Sequence, residues 1–156
     1  MLQRKTKYAI KALLALAKQY KENKPMRISE ISEQEGIPRK FLEAIMVELR
    51  NHGLVASKLG AKGGYYLVMH PAEIMLSNVI RLTGGPISLL PCVSLNFYEP
   101  CHECISEEVC GLRNVILEVR DASIRILSKT SLTDILLRES KLINRQKVNK
   151  NNSNRK

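Results

Sequence analysis

The sequence predicts a mainly α-helical, winged helix-turn-helix fold with a small β-wing and one long dimerisation helix. Three observations carry that prediction: an apolar stripe of helical period in the first twenty residues, two short helical segments parted by Gly36, and two short strand-like runs around Gly60-Ala61-Lys62-Gly63-Gly64. The 156 residues leave room for one domain with an appendage, not for two full cores. Apolar residues at 44% and charged ones at 26% exclude a disordered or fibrous chain.

The first helix is expected over Thr6 to Tyr20, because Ile10, Leu13, Leu14 and Ala17 fall at i, i+3, i+4 and i+7. Asn23-Lys24-Pro25 then marks a turn. Ser29 is the expected N-cap of a second helix, Glu30 to Glu35, which stops at Gly36. A third helix from Pro38 to His52 repeats apolar residues at Leu42, Ile45, Met46 and Leu49, and Gly53 closes it. Two such helices across a tight turn form a helix-turn-helix. Leu54 to Ser57 and Tyr65 to Val68 read as the strands of a wing, whose Lys58 and Lys62 are placed to meet a phosphate backbone or a minor groove.

Met75 to Thr83 is expected to form another short helix, followed by a long loop with three prolines, four cysteines and no Lys or Arg. From Gly111 to Thr130 the helical period returns through Leu112, Val115, Ile116, Val119, Ile126 and Leu127. Such a helix is about 30 Å long, more than the small N-terminal unit covers, so pairing with a second copy is the economical way to bury it. Ser131-Leu132-Thr133-Asp134 fits a capping box opening a short last helix. The organisation read from the sequence is therefore a winged helix-turn-helix DNA-binding domain over 1–84, a cysteine-rich, cluster-binding loop over 85–110, the dimerisation helix and a short C-terminal helix over 111–138, and a basic tail over 139–156, expected to be disordered.

Charge follows the same division. The formal net charge of +10 splits into +7 over residues 1–84, −2 over 85–138 and +5 over 139–156. The first half and the tail suit a polyanion, and the middle suits another task. Six apolar residues closed by Lys18 are too few for a signal peptide, and no run approaches the length of a membrane span, so a soluble, cytoplasmic protein without membrane attachment is expected.

Cys92, Cys101, Cys104 and Cys110 are the only cysteines and lie within nineteen residues. In a reducing compartment a disulfide framework is disfavoured, which leaves metal or cluster ligation, redox chemistry or idle thiols. Glu99, Glu103, Glu107 and Glu108 flank them, and nearby carboxylates raise a thiol pKa. A bound cation or iron-sulfur core (2Fe-2S or 4Fe-4S) offsets that repulsion, whereas a reactive thiolate has no visible local activator. Ligation is therefore favoured, with zinc the lesser alternative because only Cys101 and Cys104 form a C-x2-C pair, and His102 is a rival ligand.

Lys7 to Leu14, the segment Ile37-Pro38-Arg39-Lys40-Phe41-Leu42-Glu43, the wing Gly60 to Tyr65, Cys110-Gly111-Leu112-Arg113 and Ser131 to Asp134 occur in an order that resembles the Rrf-two family of winged-helix transcription regulators, related to IscR and NsrR. The resemblance runs over about residues 1 to 138. It implies a homodimer on a roughly palindromic double-stranded DNA operator, with an iron-sulfur cluster on the cysteine loop and with Arg39, Lys40 and Glu43 facing the major groove. The wing residues it carries over are Gly63, Gly64 and Tyr65 beside Lys58 and Lys62. Clustered relatives commonly have three cysteines at shorter spacing, and some carry a His where this chain has Arg113. Cys101 is an added thiol, and Leu59 stands where relatives often carry Arg.

The function expected is thus a dimeric regulator sensing redox state, nitric oxide or iron-sulfur supply. The alternative is a winged-helix regulator without a cluster, its loop bare or zinc-structured, answering to a protein or small molecule. An enzyme is not expected: there is no phosphate-binding Gly loop and no Ser-His-Asp pattern, and the three histidines, His52, His70 and His102, are scattered.

Overall fold

A computed structural model describes residues 2–22, 24–60 and 62–153. Helix α1 spans Arg4–Gln19 and is continued by a 3-10 turn over Tyr20–Glu22. Next come α2 (Ile28–Glu35), α3 (Arg39–Asn51), strands β1 (Val55–Lys58) and β2 (Gly64–Leu67), α4 (Leu76–Gly84), a 3-10 turn over Pro91–Val93, α5 (Gly111–Leu127) and α6 (Leu132–Ser153).

The apolar stripe of α1 provides the centre of the core. Ala9, Ala12, Leu13 and Leu16 pack with Ile31 of α2, Ile37 of the turn, Leu42, Ile45, Met46 and Leu49 of α3, Val55 and Leu67 of the hairpin, Val79 of α4 and Leu132 of α6. The hairpin is antiparallel, with Val55 opposite Leu67 and Lys58 opposite Gly64. Met26 adds a bridge to Tyr65, each backbone N–H donating to the other's carbonyl at 2.9 and 2.8 Å. That contact needs a glycine beside it, since a Cβ on Gly64 would lie 2.5 Å from the Met26 backbone.

Several boundaries differ from the expectation. Helix α2 begins at Ile28, because the Glu30 carboxylate reaches back to the Arg27 N–H at 2.7 Å and so moves the cap ahead of Ser29. Helix α5 ends at Leu127, three residues early, where Thr130 and Leu132 hydrogen-bond the segment entering α4: Leu76 N–H donates to the Thr130 carbonyl at 2.8 Å, and Leu132 N–H to that of Ile74 at 3.1 Å. The capping box forms as expected, Asp134 Oδ2 accepting from the Ser131 N–H at 2.9 Å and Ser131 Oγ from the Asp134 N–H at 3.2 Å.

The basic tail expected to be disordered is instead helical from residue 139 to Ser153, a continuation of α6; residues 154–156 lie outside the described residues. Composition alone misled here. The strong cap at Ser131 nucleates the helix, and Lys, Arg, Gln and Leu carry it onward at little intrinsic cost. Lys18 of α1 pairs with Glu139 at 3.2 Å, fixing the point where α6 leaves the body.

Candidate nucleic-acid interface and cysteine loop

The turn between α2 and α3 is held from both sides. Gly36 takes the left-handed φ of 63°, Ile37 N–H donates to the Ser32 carbonyl at 3.0 Å, and the Ser32 hydroxyl donates to the Ile37 carbonyl at 2.6 Å. Ile37 is thereby driven into the core and Pro38 starts α3 outward. Arg39, Lys40 and Glu43 all fall on the exposed face of that helix's first turns. Arg39 Nε pairs with Glu43 Oε1 at 3.0 Å, so the carboxylate expected to face a base is engaged by its own helix in the free protein. The pair is well exposed, worth less than about 1 kcal/mol, and readily exchanged for a nucleic-acid contact. Phe41, which composition did not single out as exposed, also stands out, its ring edge-on to Tyr8 at 6.2 Å.

The wing carries Lys58, Leu59 and Lys62 outward, with Leu59 at 94% exposure. Its tip is tight. Gly63 N–H donates to the Gly60 carbonyl at 2.9 Å, and a Cβ on Gly63 would meet the Lys58 carbonyl oxygen at 2.2 Å. Gly63 and Gly64 therefore shape the wing, and the half-buried Tyr65 packs on the core, so these three of the expected contact residues are placed to build the hairpin rather than to present side chains. Between wing and α2 lies a groove lined by Lys24, Arg27, Lys58 and Lys62 together with Glu22 and Glu30. The basic groove was not legible in the sequence, since its cations come from segments more than thirty residues apart.

The positive charge of α1 is partly used within the molecule. Lys5 pairs with Glu48 of α3 at 2.8 Å, Lys11 with Glu35 of α2 at 3.6 Å and with its carbonyl, and Lys18 with Glu139. The surface left for a polyanion is accordingly α3 and the wing more than α1.

In the cysteine loop, Cys101, Cys104 and Cys110 converge, while Cys92 is buried in the 3-10 turn. The Cys104 thiol donates to Cys110 Sγ at 3.8 Å and also hydrogen-bonds Cys101. These thiol contacts, Cys101 first and then Cys110, push the Cys104 thiol up to about 12; the flanking carboxylates were expected to supply that rise and do not. Cys110 is the N-cap of α5, and the Arg113 N–H donates to its sulfur at 3.4 Å. That bond, followed by the one from Cys104, holds the Cys110 thiol below its ordinary value, so the local activator missing from the sequence is the first turn of α5.

Glu107 organises the loop around these thiols. Its Oε1 accepts from the Tyr98 hydroxyl at 3.0 Å and the Cys101 N–H at 3.3 Å, and its Oε2 faces Arg113 Nε at 3.1 Å. The hydrogen bond to Glu107 raises the Tyr98 hydroxyl pKa. Arg113 is thus turned to the loop, not to solvent, and His102 is exposed. The donor chemistry fits a thiophilic metal or cluster, since three soft thiols meet in one loop. Among the described residues, however, no three His, Cys, Asp or Glu side chains are already arranged to hold a metal ion, so ligation requires the loop to tighten.

Helix α5 buries no residue within its own chain, and Leu112, Val115, Val119 and Ile126 form an exposed apolar stripe along it. Among the described residues no helix is long and apolar enough to cross a membrane.

Residues 2–138 match the family model Rrf2, described as an iron-dependent transcriptional regulator. The chain is 40% identical over 138 residues to an rrf2-like HTH-type transcriptional regulator of Rhodobacter capsulatus, covering 87% of this chain and 92% of that one. Among solved structures it is similar to CymR, the global cysteine regulator of B. subtilis, with a TM-score of 0.72 and 30% identity over 86% of this chain and 95% of that one. It is also similar to T. potens IscR, with a TM-score of 0.69 and 26% identity over 89% and 88%.

Proposed function

The chain belongs to the Rrf2 (Rrf-two) family of transcriptional regulators, and we propose that it acts as a homodimer on a roughly palindromic DNA operator, with Cys92, Cys101, Cys104 and Cys110 holding an iron-sulfur cluster that sets its DNA affinity. The observation that carries this reading is the position of Cys110. It is at once a member of the thiol cluster and the N-cap of α5, so any tightening of the loop acts directly on the helix whose exposed stripe is the surface for a second copy. The cluster, when bound, supplies an iron centre that reacts with oxidants and nitric oxide.

The chain's own residues do the rest. Glu107 holds the Cys101 backbone and Arg113 together, tying the loop to the first turn of α5. Just beyond its far end the chain is bound to the segment entering α4, Leu76 N–H donating to the Thr130 carbonyl and Leu132 N–H to that of Ile74. A change in the loop is thereby carried along α5 to the unit that bears α3 and the wing, whose Arg39, Lys40, Glu43, Lys58 and Lys62 are proposed to contact DNA, with Gly63, Gly64 and Tyr65 shaping the wing. In this reading Cys101 takes the place of the non-cysteine ligand of some relatives, since Arg113 is occupied by Glu107 and has no ligating nitrogen to offer.

Protein purified without oxygen should be brown, with matching iron and sulfide, and holo and apo forms should differ in operator affinity; equal affinities would remove the regulatory role. Cys101→Ala should leave an incomplete or unstable cluster, and an unchanged visible spectrum would remove Cys101 from the ligand set. A second reading, a regulator whose loop holds zinc or nothing, is favoured by the unassembled thiols and by the likeness to CymR. It predicts colourless protein, with or without stoichiometric zinc.

A further inference from the structure

We propose that α3 selects thymine in the operator by its C5 methyl group, through Ala44 and Val47. The inference rests on the reading of the chain as a DNA-binding regulator and adds to it the kind of base the helix prefers. It is carried by the character of the face that α3 turns outward. Leu42, Ile45, Met46 and Leu49 are the buried residues of the helix and fix its inner side. At about 3.6 residues per turn the opposite side runs through Lys40, Ala44, Val47 and Asn51, all exposed, with Arg39, Glu43 and Arg50 along one flank. Ala44 and Val47, one turn apart, therefore stand in the middle of the outer face of the second helix of the helix-turn-helix, where such helices meet base edges.

The fold of the chain does not account for this pair. Val47 is 42% exposed and lies outside the core. Valine is also a weaker helix former than the Lys, Glu and Arg around it, so neither burial nor helix propensity favours it at this position. The cations beside it on the same helix, Arg39, Lys40 and Arg50, suit a phosphate backbone on either side of a groove rather than an apolar protein surface. In the major groove the apolar group of a base edge is the thymine methyl, whereas cytosine presents an amino donor and purines present N7 acceptors. A branched side chain, stiff at χ1, meets that methyl with little ordering to be done on binding. Lys40 and Glu43 remain for the polar edges of neighbouring pairs.

The test uses the full-length protein and a duplex that it recovers from a random-sequence library. Each thymine is then replaced in turn by deoxyuridine, which removes the C5 methyl and keeps every hydrogen-bonding group. At one or two positions in each half-site the replacement should weaken binding by about fourfold, as loss of one buried methyl-sized group does. Val47→Ala should lose that factor on the thymine duplex, bind the uracil duplex as wild type does, and show no fall in Tm. Phe41→Ala, on the side of α3 that meets Tyr8, should leave the ratio of thymine to uracil affinity unchanged. The inference is overturned if uracil binds as well as thymine at every position, or if Val47→Ala weakens both duplexes alike. Sequence-selective, salt-dependent binding would persist in either case and leave the DNA-binding reading standing. Recovery of no preferred sequence from the library would overturn both.

Discussion

The two halves of the molecule dispose of their apolar side chains in opposite ways. In the first, α1 to α4 and the hairpin close over Leu13, Ile31, Leu42, Ile45, Leu49 and Val79, all buried without help from outside the chain. In the second, from Pro86 to Leu127, only Cys92, Val93 and Ser94 are buried, and α5 exposes its apolar stripe along its whole length. A region that satisfies itself is a scaffold. A region that leaves thiols gathered but unassembled and an apolar helix face open suits the cluster and the second copy proposed above, and this is where a regulator can hold two states of similar free energy.

The largest test of that contrast places a truncation on each side. Leu42→Ala in α3 should cost about 2–5 kcal/mol and lower Tm sharply. Leu112→Ala in α5 should leave monomer unfolding within about 0.5 kcal/mol and instead shift the protein concentration at which sedimentation detects dimer. Equal losses of Tm would erase the distinction between the halves.

The junction between them should respond more mildly. Ser131→Ala removes the capping box of α6 and should cost about 1 kcal/mol, read as lost helicity by circular dichroism and a lower Tm. Hydrogen bonds from the Ser131 hydroxyl and then its N–H hold the Asp134 carboxyl below its ordinary value. Its contribution is therefore complete above the ordinary carboxylate range and fades as pH falls through the depressed value. The Tm difference between wild type and Ser131→Ala should narrow in acid to what the Asp134 N–H bond to the Ser131 hydroxyl still supplies, and a constant gap would detach the Asp134 carboxylate from the cap.

Charge sharpens the comparison within the first half. Lys58→Ala and Lys62→Ala should each reduce the slope of log affinity against log salt by about 0.9. Lys5→Ala, whose ammonium already pairs with Glu48, should leave the slope unchanged. A drop for Lys5 would bring α1 onto the DNA. The smallest effect belongs to Arg39→Ala in the free protein, where loss of an exposed ion pair should change stability by less than about 1 kcal/mol while weakening DNA binding.

Much of the first half and of the junction was legible residue by residue. Leu42, Ile45, Met46 and Leu49 stand at helical spacing and all are buried; Gly36 and Gly53 end helices with positive φ; Ser131 and Asp134 cap each other as their spacing requires. The site was legible as a list and not as an arrangement. Nothing local shows that Cys92 is buried while the other three thiols are partly exposed, that Glu107 rather than a neighbour grips Cys101 and Arg113, or that Lys5, Lys11 and Lys18 are spent on Glu48, Glu35 and Glu139.

By itself the sequence determined the winged helix-turn-helix, the clustering of four thiols and the helix that follows them, because periodicity, caps and turn residues act over a few positions and are written where they act. Only the tertiary structure decided which cations remain free for a polyanion, which cysteines meet and how far α6 extends. Those outcomes depend on groups distant in the chain coming within a few ångströms of each other. Ion pairing, thiol hydrogen bonding and burial take effect only at that distance.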